Sequence, residues 1–150
     1  MAANFSTKLI QDMLDSVGFR GAFANGVLDF YTGARPLSAD SAATGTFLVR
    51  ITLNGGAFTA GAATNGLNFG PASGNLVAKP SADVWRGVGV AAGTIGWARF
   101  KGNALDADQN TVALPRMDLV VGVSGADLNM SNLTVAVGSP HTVDIFEVAM

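Results

Sequence analysis

The chain has no cysteine, one histidine (His141) and one glutamate (Glu147). Each scarcity excludes something. Without cysteine there is no disulfide and no thiolate metal site. With one imidazole, a transition-metal centre would have to be built from carboxylates. A Glu-poor composition also disfavours long helices, which draw on Glu, Lys, Leu and Ala together. Charge is scarce overall: Asp, Glu, Lys and Arg make up 13% of the 150 residues, about half the share of an ordinary globular chain. The nine basic residues are scattered and the net charge is −2. No basic stripe is available to neutralise phosphates, so no nucleic-acid partner is expected. No apolar run reaches the roughly 18 residues of a membrane span, so no membrane partner is expected either. The opening MAANFSTKLIQDML lacks the long apolar stretch of a signal peptide, which points to synthesis and folding in a cytoplasm.

What the sequence does contain is glycine (19 residues) and a 49% share of hydrophobic residues. Gly-, Thr- and Val-rich, Glu-poor sequence fits short strands joined by tight turns. Only one segment reads as helix. From Asn4 to Val17, the residues Phe5, Leu9, Ile10, Met13, Leu14 and Val17 recur at three- and four-residue steps and share a face. Asn4 or Ser6 can cap the start and Gly18 can end it. That face must lie either on the chain's own sheet or on a neighbouring subunit.

Beyond Gly18 the period shortens to two. Strands are expected at Val27–Tyr31, after an Asn25–Gly26 turn, and at Thr46–Leu53. Others are expected at Leu76–Ala78, Val84–Val90, Gly93–Lys101, around Pro115 within Val112–Val123, at Leu128–Met130, Leu133–Val137 and Thr142–Val148. In Gly93–Lys101, alternation sets Ile95, Trp97 and Arg99 on one face and Ala98 and Phe100 on the other. Residues 57–75 read as a long loop holding a short strand at Leu67–Phe69. Many short strands at even spacing, with no strand–helix alternation, predict an antiparallel β-sandwich or jelly roll. The expected organisation is a single domain over residues 1–150, with residues 1–20 as a helical arm.

Few residues have the makings of chemistry. His141 lies near Ser139 and Asp144, but residues 141 and 144 of a strand face opposite sides, and no G-x-S-x-G elbow presents a nucleophile. Asp106 and Asp108 have a calcium-loop spacing, yet Thr111 and Met117 stand where that loop needs Gly and Glu. They read as a solvated acidic turn. The glycines of GVGVAAG (87–93) have the wrong spacing for a dinucleotide loop and precede a strand, not a helix. Trp85, Trp97, Phe100 and Tyr31 suit a core, or the groove of a carbohydrate-binding module. No catalytic, cofactor or metal site is expected. A charge-poor surface and an apolar helix face instead suggest an interaction module.

Three stretches carry a resemblance: GTFLVRITLNGGAFTAGAATNGLNFG (Gly45–Gly70), VWRGVGVAAGTIGWARF (Val84–Phe100) and SGADLNMS (Ser124–Ser131). With the F-A-N-G-V run at Phe23–Val27 and the Y-x-G-x-x-P turn of Tyr31, Gly33 and Pro36, they resemble a family of small virion structural proteins of tailed bacteriophages, of the capsid decoration or cement kind. The resemblance implies a virion component that self-associates as a dimer or trimer and clamps the major capsid protein or another virion protein. A tail, neck or fibre-base role is the nearest alternative, and a carbohydrate- or receptor-binding sandwich is another. The expected partner contacts are Phe5, Leu9, Met13 and Leu14 on the helix, and Arg35, Leu37, Phe58 and Leu67 in the loops.

Overall fold

The β-propensities translate into a mainly β molecule in the computed structural model, which describes residues 3–150. Its elements in chain order are β1 (Asn4–Phe5), α1 (Thr7–Leu14), α2 (Gly18–Ala22), β2 (Val27–Thr32), β3 (Phe47–Leu53), β4 (Leu76–Ala78), β5 (Trp85–Val88), β6 (Gly93–Lys101), β7 (Arg116–Gly122), β8 (Leu128–Asn129), β9 (Thr134–Val135), β10 (Pro140–Val143) and β11 (Glu147–Ala149). One large sheet runs β1-β7-β6-β2-β3-β5-β10, with β8 added to β7 and β9 to β6. Its pairings are antiparallel except β7–β8. β4 and β11 form a separate two-stranded sheet. The expected antiparallel β character is present. The second layer is only this short ribbon together with the helices and loops.

The N-terminal segment differs from the single helix read over Asn4–Val17. Asn4 and Phe5 pair with Asp118 and Met117 of β7. Ser6 then caps α1: its Oγ accepts from the Leu9 N–H and the Arg116 N–H and donates to the Leu114 carbonyl. The helix stops at Leu14, and Gly18, at φ +71°, opens α2. The segment is not an arm. Leu9 is fully buried in the core, and Phe5 and Met13 pack against it. The helix docks on its own sheet.

Alternation gives the large sheet two unlike faces. Leu28, Phe30, Val49, Ile51, Ala98, Phe100, Met117 and Leu119 point to the apolar side. There Phe23, Phe69, Trp85 and Phe146 close the core through ring contacts, including Phe23–Phe100 at 4.9 Å and Phe69–Trp85 at 5.7 Å. Leu67 joins this core, its main chain bridged in both directions to Gly26. Asn25 and Asn65 each precede a glycine and take the left-handed conformation (φ +54° and +59°) that Asn tolerates. The expected short strand at Leu67–Phe69 is this single bridge. The expected strand Thr142–Val148 is two strands, β10 and β11. The break between them leaves Ile145 71% exposed while Phe146 stays buried.

Candidate functional site

The opposite face of the sheet is charged and buried. One cross-strand row reads Arg50, Asp29, Arg99, Asp118, Asn4, from β3 through β2, β6 and β7 to β1. Positive and negative groups alternate along it, and directly opposed opposite charges attract. Arg50 forks onto Asp29 (Nε–Oδ1 2.7 Å, Nη2–Oδ2 2.8 Å). Arg99 forks onto Asp118 (2.7 and 2.8 Å). In the next row Lys101 stands opposite Arg116, a like-charge pair. It is relieved because Lys101 Nζ binds Asp29 and Asp108, both at 2.9 Å, while Arg116 forks onto Asp106 (2.7 and 2.5 Å).

Asp106 and Asp108 come from the β6–β7 connection, and so the expected solvated acidic turn is instead a lid pinned to the sheet. The β2–β3 connection crosses the same face. Its carbonyls at Ala39, Ser41 and Thr44 accept from Arg116, Arg99 and the Trp97 indole. The two loops are stitched together by Ala43 N–H to Asp108 O, Ala42 N–H to the Asn110 side chain and Thr111 N–H to Asp40 O.

Electrostatically the network is closed. Burial pushes the Tyr31 phenol far above its ordinary value, helped by Asp108 and Asp29, so the hydroxyl stays protonated and donates to Asp108 (2.9 Å). Burial also pushes the Asp118 carboxyl up, opposed by the Arg99 fork. At Asp106 burial acts upward too, but the Arg116 fork and the Asp108 N–H outweigh it and hold the carboxyl below its usual range. Four cations and four carboxylates satisfy one another. Each oxygen that could ligate an ion already faces a guanidinium, an ammonium or a main-chain N–H. Among the described residues no group of three or more metal-ligating side chains forms. The arrangement holds loops onto a sheet.

His141 occupies a second place of interest. It is 4% exposed and lines a cleft of about 410 Å³ with Asn129–Asn132, Thr142, Asp144 and Ile145. Its Nε2 is 3.3 Å from Ser139 Oγ, but Ser139 Oγ already donates to the Ala136 carbonyl (2.7 Å). No hydrogen bond joins His141 to Asp144 among the described residues, and burial pushes the imidazole below its ordinary value. A serine held by a carbonyl and a histidine without a carboxylate do not make a triad.

The expected partner contacts separate. Leu14 (85% exposed) and Leu37 (100%) are on the surface. Leu9 and Leu67 are fully buried and touch no solvent, so both are corrected to core residues; Leu9 faces the sheet below α1, and Leu67 is drawn in by its bridge to Gly26. Phe5 and Met13 are half-buried on the same core. Arg35 is half-buried and bonds the Asp118 carbonyl (3.2 Å) and Asp127 (3.3 Å). Phe58 stacks under the Arg50 guanidinium at 5.5 Å. Trp85 and Trp97 are fully buried, which removes the stacking platform that a carbohydrate groove would need. Sequence reading missed the ion network, although its signal was present: each central strand carries a charge in its middle. No family model, curated protein or solved structure matches the chain.

Proposed function

We propose that this chain is a non-enzymatic structural component that acts by packing against copies of itself and against a larger protein assembly. One observation carries the reading. The buried network consumes four of the nine basic and four of the eleven acidic residues, so the outer surface is poorer in charge than the composition alone implies. Fourteen large apolar side chains are exposed among the described residues, Leu37, Leu14, Leu105, Val137 and Ile145 foremost. A lone protein in water ordinarily keeps more of its charge on the surface than this network leaves there. A subunit that is covered on assembly has no such need.

The assembly is the virion of a tailed phage, and the role is decoration or cementing of its head; the resemblance of Gly45–Gly70, Val84–Phe100 and Ser124–Ser131 supports this. A cement protein stabilises a shell by covering apolar area on several subunits, each 100 Å² contributing roughly 2.5 kcal/mol before association costs. Modest contacts repeated over many copies become strong through multivalency. Purified particles should contain this chain at a level near that of the major shell protein, measured by quantitative mass spectrometry. Particles lacking it should open at lower temperature, and added protein should restore them. Unchanged particle melting sinks the cementing role, and a copy number far below the shell protein's moves the chain to the tail.

A further inference from the structure

The two ends of the large sheet present unpaired main chain to a common groove. One wall is residues 127–132, containing β8. The other is residues 140–147, containing β10. The cleft at His141 (about 410 Å³) and an adjoining one of about 320 Å³, lined by Asp127–Asn129 and Ile145–Glu147, lie between these walls.

The phase of each ladder says which main-chain groups face away from the sheet. Asn54 N–H donates to Val84 O and Val90 N–H to Leu48 O, so the even-numbered residues of β5 turn toward β3. The odd ones turn toward β10, as the bond from Gly89 N–H to Ser139 O shows. His141, opposite Gly87, therefore spends its main chain on β5. Thr142, opposite Arg86, turns its N–H and C=O away from it. On the other wall Met130 N–H donates to Gly122 O, which turns the main chain of Asn129 away from β7. Ser131 N–H makes no hydrogen bond among the described residues.

We propose that this groove accepts an extended, positively charged peptide segment of a partner subunit as an added β-strand. Two strand edges facing one groove offer outward main-chain groups at Thr142 on one wall and Asn129 on the other, as the recognition mode of β-augmentation needs. Neither edge carries the lysine or arginine with which exposed edges are commonly blunted; only Pro140, at the start of β10, does so. The groove's full charges are carboxylates: Asp144 and Glu147 are exposed at its rim, and no Lys or Arg lines either cleft. An acidic strand would be repelled, and a segment bearing Lys or Arg would be complementary. The His141 imidazole and the Asn132 side chain add neutral polar groups, while Met130 and Ile145 supply apolar contacts for alternate side chains.

The inference rests on the reading that the chain works through protein contacts, and its test is separable from that reading. The purified protein is used to select from a bead-displayed random octapeptide library. Binders enriched in Lys or Arg and poor in Pro are expected. Thr142→Pro removes the outward N–H and should weaken the selected peptides by about tenfold or more. Asp144→Lys with Glu147→Lys tests charge while keeping every main-chain N–H, including that of Glu147 where it pairs with Ala78 in β11, and should do the same. Thermal unfolding of each variant establishes that it is folded. A library that yields no binder, or binders indifferent to both variants, overturns the proposal. Should the double charge variant still stabilise particles as the wild type does, the groove is wrong and the assembly role stands.

Discussion

Arg99 and Asp118 show how much a single residue can decide here. Both are fully buried, and each is the other's main counter-charge. Such a pair contributes little net stability compared with an apolar pair of similar size, because desolvating two ions offsets their attraction. Removing one partner is different, since it strands the other charge in a dry interior. Arg99→Leu should lower unfolding free energy by about 3–5 kcal/mol, read as a shift in urea midpoint at unchanged slope. Arg99→Leu with Asp118→Leu should recover most of that loss. If the double variant is as unstable as the single, the pair is not the unit that matters. His141 makes a second prediction at this scale. Burial holds its folded pKa below that of an unfolded histidine, near 6.5, so the unfolded chain binds the proton more tightly. Stability should be intact above about pH 6.5 and fall as the pH drops below it, and His141→Gln should flatten that limb of a Tm-against-pH curve. Asp106 should add a further loss below about pH 4, where its carboxyl takes up a proton in the unfolded chain while the Arg116 fork still keeps it ionised in the folded one.

Strands, more than helices, carry this molecule, and close main-chain approach sets what they tolerate. A Cβ on Gly87 would lie 1.9 Å from the Arg50 carbonyl, whereas one on Gly61 would meet nothing within 4 Å. Gly61 instead has φ +83°, which disfavours any side chain by roughly 1–2 kcal/mol. Gly61→Ala should therefore cost about that much. Gly87→Ala should cost about 3 kcal/mol or more, because β3 and β5 must separate to admit it. Equal losses in urea unfolding would refute this ranking. The same strands explain what was legible beforehand. Gly93–Lys101, Leu76–Ala78 and the hairpin partners β2 and β3 follow from period-two alternation bounded by turn residues, and they form where expected. The face assignment of Trp97 and Arg99 against Ala98 and Phe100 also holds, but Ile95, expected beside Trp97, joins the apolar core, because the β2–β6 register shifts between Tyr31 and Thr32. The role of the charged face was not legible, because pairing Asp29 with Arg50 and Arg99 requires the strand order, which alternation does not encode. The N-terminal helix was read too long: apolar residues at Ile10, Leu14 and Val17 fit the helical period, yet they stay about half or more exposed. The buried row has its own consequence for register. A one-residue slip of β6 would drive Arg99 and Lys101 into the aromatic core and Phe100 into the ion network, so the charges specify alignment as well as holding the loops.

At the scale of the whole molecule, an apolar core is joined by a charged network that takes up eight of the twenty charged side chains, while fourteen large apolar side chains are exposed among the described residues. If cover comes from apolar burial, association of this chain with itself or with a shell should respond to solvent accordingly. Sodium chloride screens surface charges but does not weaken apolar contacts, whereas sulfate strengthens them. Sedimentation velocity should therefore show self-association that rises with protein concentration, changes little with sodium chloride and increases with ammonium sulfate. Leu14→Lys combined with Leu37→Lys is the sharper probe. Both side chains are almost wholly in solvent, so the substitutions should leave unfolding free energy within about 0.5 kcal/mol of the parent. They should nonetheless weaken assembly, because a lysine in a covered apolar contact must be desolvated without a counter-charge. Assembly that survives this double substitution unchanged would place the working contact elsewhere, on the Val88–Val90 and Leu105 side of the sheet. A parent protein that stays monomeric at every concentration and salt, and binds no particle component, would leave the exposed apolar side chains without the cover that the assembly reading requires.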